Sequence, residues 1–178
     1  GPERVSFDRV LPIIERNVKI ELSDIAIKRI VNCRNYLDSK LESGNELLYG
    51  INTGFGSLCD RVISKEDLGK LQVNLVKSHA CGVGEEVPDE VVRLMLFLKI
   101  QSLSYGNSGI QLETVKRLID FYNMDILPVV YQYGSLGASG DLAPLAHLSL
   151  PLLGMGEVKL RGEKRKSREV LEECNLEP

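Results

Sequence analysis

Pro88-Asp89-Glu90-Val91-Val92-Arg93-Leu94-Met95-Leu96-Phe97-Leu98-Lys99-Ile100-Gln101-Ser102-Leu103-Ser104-Tyr105 is the longest apolar passage of the chain. Proline suits a first helical position, because the N–H it lacks would have no intrahelical partner there; the spacing therefore predicts a helix from Pro88 to about residue 105. Its apolar residues point nearly all round the axis, which predicts burial by neighbours on most sides. Working outward toward the N-terminus, Ile27, Ile30, Val31, Leu37 and Leu41 fall on one face, between Ser23 as N-cap and Gly44 as stop. A helix opened by Ser64 and running to about residue 78 lies between these two. On the C-terminal side, helices are expected over 111–123 and from just after Ser139 to near Pro151, which cannot continue one. Only the tail reads as extended: Glu157 to Leu160, a turn at Arg161-Gly162-Glu163, then Lys164-Arg165, forming a small hairpin before a last helix from Ser167. The fold class is mainly α, one domain over residues 3–178, with a β-hairpin near the C-terminus. Gly1-Pro2 is read as the remnant of a cleaved tag and left out.

The 178 residues are 43% hydrophobic and carry 22 Lys+Arg against 25 Asp+Glu, a net charge of −3 with no basic face for nucleic acid or anionic lipid. Aromatic residues are 6% and Trp is absent, which argues further against base stacking. Arg93 and Lys99 interrupt the apolar run well short of bilayer length, so no membrane association is expected. Cys33, Cys59, Cys81 and Cys174 are scattered without Cys-x-x-Cys spacing, which suggests a reducing cytoplasm. The charge run from Arg161 to Arg168 reads as a solvated turn.

Two glycine-rich stretches break the helical pattern: Tyr49-Gly50-Ile51-Asn52-Thr53-Gly54-Phe55-Gly56 and Gly134-Ser135-Leu136-Gly137-Ala138-Ser139-Gly140-Asp141. Function is sought there, since glycines permit backbone geometries and close approaches that regular elements exclude. The first lacks the third glycine of dinucleotide-binding spacing and any following Gly-Lys-Ser/Thr, which sets phosphate cradling aside. The second approaches a hydrolase nucleophile elbow, but Asp141 stands where the last glycine belongs. His147, eight residues after Ser139, reads best as a core histidine hydrogen-bonded to backbone.

Taken together, Tyr49 to Gly56, Asn74-Leu75-Val76-Lys77-Ser78-His79-Ala80-Cys81-Gly82-Val83-Gly84, and Gly137-Ala138-Ser139-Gly140-Asp141-Leu142-Ala143-Pro144-Leu145-Ala146-His147 resemble, in order and spacing, the aromatic amino acid ammonia-lyase family. The likeness runs from about residue 21 to 157. It implies the N-terminal domain of the helical, L-aspartase/fumarase-like architecture, and the carbon–nitrogen lyase chemistry that goes with it. That chemistry needs an electrophile, because the β-hydrogen of the substrate is scarcely acidic and ordinary side chains supply only nucleophiles, acids and bases. The family makes one from its own backbone: by position, the nitrogen of Gly140 attacks the carbonyl carbon of Ala138 and Ser139 loses water, giving 4-methylideneimidazole-5-one. No metal or diffusible cofactor is implied. A helix starting just after the ring would favour negative charge on it.

The resemblance also makes Tyr49 the acid–base group on a mobile loop whose Gly50, Gly54 and Gly56 let it move; a phenol titrates near ~10, so that role needs local lowering. It makes His79, with Ser78, the substrate reader. Ser-His at this place resembles the histidine enzymes, where His-Leu marks tyrosine and Phe-Leu phenylalanine enzymes. The implied reaction is L-histidine to trans-urocanate and ammonia, in a cytoplasmic homotetramer. Lys99-Ile100-Gln101 departs from the family's Arg-x-Asn pattern and marks a divergent branch. Family chains are much longer, with central and C-terminal helical regions that this one lacks, so the chain alone is expected to be inactive. The alternatives are a tyrosine or phenylalanine lyase or aminomutase, and a non-catalytic assembly module in which no ring forms.

Overall fold

The computed structural model describes residues 1–15, 18–44, 47–135 and 142–178. It is mainly helical: α1 (Phe7–Ile14), α2 (Asp24–Ser43), α3 (Leu68–His79), α4 (Asp89–Ser104), α5 (Leu112–Met124), α6 (Leu142–Ser149) and α7 (Ser167–Glu173). Five short strands accompany them: β1 (Val83–Glu86), β2 (Ile126–Pro128), β3 (Tyr131–Tyr133), β4 (Glu157–Leu160) and β5 (Glu163–Lys166).

α2 begins and ends where its residues predict. Ser23 Oγ accepts the Ala26 N–H at 3.3 Å, and Gly44 takes φ +68°, a left-handed exit that costs glycine little. Pro88 is one position earlier than expected, an N-cap with ψ 143° whose carbonyl accepts the Val91 and Val92 N–H groups. α4 is the core helix, burying Val92, Leu96, Phe97, Ile100 and Leu103. Burial on most sides is nevertheless an over-reading, since Val91 and Leu98 on its other side are exposed. The described neighbours cover one face only.

α4 packs on α5, whose Val115, Leu118 and Phe121 are buried against it. The buried Arg93 crosses between them. Its guanidinium pairs with Asp125, donates to the Tyr122 carbonyl at 3.4 Å and lies 5.2 Å over the Tyr122 ring. Asp125 ends α5 in a left-handed conformation, φ 59°, and turns the chain into β2.

The tail hairpin forms as expected. Arg161 and Gly162 both take positive φ, the geometry that a two-residue turn between twisted strands demands. Extended structure is not confined to the tail, however. β2 pairs antiparallel with β4, from Ile126↔Leu160 to Pro128↔Val158, making a three-stranded sheet in the order β2-β4-β5. β1 and β3 form a separate two-stranded ladder, with Val83 opposite Tyr133. These strands are three or four residues long, too short for alternation to show, and their partners are distant in sequence. The basic run of the hairpin is spent on neighbouring acids. Lys164 and Lys159 hold Glu86 at 3.0 and 2.7 Å, Lys159 also reaches Asp89 at 2.9 Å, and Arg165 pairs with Glu173 at 2.6 Å.

Candidate active site

Residues 48–63 form a loop held by its own polar groups. The Leu48 carbonyl accepts the N–H groups of Ile51 and Asn52, closing a turn in which Gly50 takes φ +70°. Asn52 Oδ1 accepts the Leu48 N–H at 2.7 Å, and the buried Thr53 hydroxyl accepts from Gly50 at 3.1 Å while donating to the Gly54 carbonyl at 3.0 Å. The returning arm is tied by Gly54 N–H to Arg61 and Ile63 N–H to Asn52. Gly54 has no room for a side chain, since a Cβ there would lie 2.6 Å from the Leu58 carbonyl oxygen. Tyr49 is largely exposed; its phenol oxygen accepts the Gly56 N–H at 3.1 Å and its ring meets Phe55 edge-on, centroids 6.0 Å apart.

This loop roofs a cleft of about 560 Å³. Tyr49 and Phe55 enter from the loop, Leu75 and His79 from α3, and Leu142 and Leu145 from the first turns of α6. The cleft is thus largely apolar, with a phenol and an imidazole as its convergent polar groups, the usual character of a small-molecule site. His79 closes the last turn of α3, where its Nδ1 is 2.8 Å from the Leu75 carbonyl. A carbonyl only accepts, so Nδ1 carries the proton and Nε2 keeps a lone pair for a ligand. Ser78 is exposed and outside the cleft wall; its hydroxyl donates to the same carbonyl at 3.0 Å and stands 3.1 Å from His79 Nδ1.

Ala138, Ser139 and Gly140 lie outside the described residues. The residues flanking them are close-packed. A Cβ built on Gly134, before them, would lie 3.3 Å from the Cβ of Ala143, after them, and 2.8 Å from the Cα of Gly82. Only a glycine at position 134 admits such backbone approach. His147 is a buried histidine bonded to backbone, as read from the sequence: Nε2 accepts the Gly82 N–H at 2.8 Å, the ring meets Tyr131 edge-on, and burial pushes its pKa down. Sequence reasoning assigned no part to Asn52, Thr53 or Gly82, although all three lie within the quoted motifs. Among the described residues no group of three or more His, Cys, Asp or Glu side chains gathers as metal ligands do. No helix of the described residues is long and apolar enough to cross a membrane.

Set beside known proteins, the chain is 44% identical over 174 residues to a histidine ammonia-lyase of Deinococcus radiodurans, covering 98% of this chain and 33% of that one. The crystal structure of histidine ammonia-lyase from Trypanosoma cruzi superposes with a TM-score of 0.85 at 37% identity, over 96% of this chain and 33% of that one. The phenylalanine aminomutase of Pantoea agglomerans superposes with a TM-score of 0.92 at 31% identity, over 99% and 34%. The chain therefore spans about a third of the length of the relatives it matches. The family profile described as Aromatic amino acid lyase matches residues 5–178, nearly end to end, and the chain belongs to that family.

Proposed function

We propose that, in a protein of its relatives' full length, this chain is the N-terminal domain of a histidine ammonia-lyase. The reaction is elimination: the Cα–N bond of L-histidine breaks, the Cβ–H bond breaks, and the new C=C bond gives trans-urocanate with release of ammonia. The observation that carries the reading is His79, held in the cleft by Leu75 with Nε2 left as an acceptor, in a chain 44% identical to a histidine ammonia-lyase. An imidazole N–H of the substrate can donate to that nitrogen, whereas a phenyl ring offers nothing and leaves it unpaired.

Tyr49 faces the same cleft, and its oxygen accepts the Gly56 N–H with a lone pair left for a substrate proton. In this reading its deprotonated oxygen takes the β-proton and becomes the phenol. Leu142 and Leu145 give the cleft an apolar wall against which a ring can pack. The 4-methylideneimidazole-5-one of the family, formed here from Ala138, Ser139 and Gly140, supplies the electrophile for the amine. The close approach of Gly134, before that tripeptide in sequence, to Ala143, after it, supports this reading. The proposal includes a cytoplasmic homotetramer, with family membership as its support and four free cysteines in keeping with a reducing compartment.

The test is to express the full-length protein, weigh it intact, and follow unsaturated-acid formation from L-histidine, L-tyrosine and L-phenylalanine. A mass two waters below the sequence and urocanate as the main product are expected. Preference for tyrosine or phenylalanine would overturn the substrate, and an unmodified mass in active enzyme would overturn the electrophile.

A further inference from the structure

Tyr49 is 64% exposed, and a side chain that free visits several rotamers unless a neighbour narrows them. Contacts from residues 55 and 56 narrow its choice. The Phe55 ring meets the Tyr49 ring edge-on at an interplanar angle of 71°, and the Gly56 N–H donates to the phenol oxygen. Phe55 can act as a stop because its own backbone is fixed. The Gly54 N–H before it bonds to the Arg61 carbonyl, and the Phe55 carbonyl accepts the Leu58 N–H, both at 3.0 Å. The Phe55 ring also lies over Gly50, the residue after Tyr49, so closely that a Cβ on Gly50 would stand 2.9 Å from Phe55 Cε1. Phe55 thus touches both the Tyr49 ring and the turn that carries it, and the two side chains enter the cleft together.

We propose that Phe55 is the positioning residue for Tyr49, setting the angle at which the phenol oxygen enters the cleft. This rests on the reading above that Tyr49 takes the β-proton. Proton transfer needs the accepting oxygen within about 3 Å of the atom that gives up the proton, so a phenol swung into solvent is idle for that time. The edge-on ring raises the fraction of time in reach and takes no part in bond making or breaking. Packing against the substrate ring is the other role open to a cleft side chain. The two roles differ once the Tyr49 oxygen is removed.

The experiment measures kcat and KM for L-histidine in the full-length enzyme, with Phe55 varied both in wild type and in Tyr49→Phe. Phe55→Leu removes the ring edge and is expected to lower kcat about 3–10-fold, the rate equivalent of one edge-on pair, with KM nearly unchanged. Phe55→Tyr keeps the edge and should recover most of that loss. In Tyr49→Phe, which has no oxygen to position, Phe55→Leu should cost nothing further. A fall of the same size in both backgrounds, or a loss seen mainly in KM, would mean that Phe55 packs on the substrate or merely shapes the loop, and would overturn the proposal. So would wild-type kcat in Phe55→Leu beside a slow Tyr49→Phe, a result that leaves the proposed function standing. Full turnover in Tyr49→Phe would overturn the acid–base role of Tyr49, and this one with it. If Phe55→Leu does not fold, Phe55→Met, which fills the space over Gly50 without a ring, carries the same expectations and the same overturning results.

Discussion

Helices α4 and α5 and the loop over residues 48–63 hold their shapes by different means. In the helices, Leu96, Val115 and Phe121 are 0% exposed, and apolar burial fixes each side chain. In the loop, Thr53 is buried, while Tyr49, Leu58 and Val62 are 64%, 54% and 67% exposed, and backbone hydrogen bonds to Asn52 and Thr53 set its course. The core tolerates exchange of one apolar residue for another of similar volume. The loop depends instead on particular hydrogen-bonding atoms, those of Asn52 and Thr53 among them. Stability and chemistry are thereby separated in space, and substitutions in the two regions should separate them in measurement.

The largest effect is expected on turnover. Tyr49→Phe in the full-length enzyme removes only a hydroxyl from an exposed ring, so its urea midpoint should stay close to wild type, within about 0.5 kcal/mol. Turnover of L-histidine should fall by about 10²–10⁴-fold, the range for loss of an acid–base group. Phe121→Ala tests the other side. A fully buried phenyl ring is lost, which should cost about 3–5 kcal/mol in urea unfolding of this chain. Turnover per folded molecule should barely change. A loop variant that unfolds the chain, or a core variant that abolishes turnover while folded, would break the distinction.

Smaller effects sharpen it. His79→Leu should reduce histidine turnover more than phenylalanine turnover, by about 1–3 kcal/mol of discrimination for the substrate polar group left unpaired. Competition between the two substrates measures this directly. Equal losses would make His79 a structural residue.

What was legible in the sequence follows the same division. α2 could be read from Ser23, Gly44 and one apolar face, and the hairpin from a turn in which Gly162 supplies positive φ. Local chemistry determines both. β2 could not be read, because three residues carry no period and its partner β4 lies some thirty residues on. The exposure of Val91 and Leu98 was equally hidden, since periodicity shows that a face is apolar and not whether anything covers it. At the site, Tyr49 and His79 were reached through the family resemblance, and the structure places both on one cleft. The apolar wall from Leu142 and Leu145, and the bond from Gly82 to His147, depend on α6 packing beside α3 and β3, which no local pattern encodes.

The smallest expected effect is a pH dependence of stability with two separable windows. Burial depresses the pKa of His147 below its usual 6.5, so the folded chain prefers the neutral ring that accepts from Gly82. Its contribution is complete above about 6.5 and is lost as pH falls through the lower folded value, because the unfolded chain takes up the proton first. Glu86 behaves similarly at lower pH. Hydrogen bonds from Lys159 and then Lys164 hold its carboxyl below the usual 4.5, so it adds stability above that value and loses it as pH falls further. Lys159 is shifted up by the same Glu86 and by Asp89, and its share is lost only as pH rises past its own raised value. Urea melts of this chain between pH 8 and 3 should therefore show two declines in midpoint on acidification, one starting near 6.5 and one near 4.5. His147→Gln, which cannot titrate, should erase the first, and Glu86→Gln should reduce the second, to which Asp38 beside Arg34 and Asp67 beside Lys70 also contribute. The Glu86 pair is partly exposed and should weaken in high salt, whereas the His147 step, which arises from burial, should not. A first decline that survives in His147→Gln would assign that window to another group.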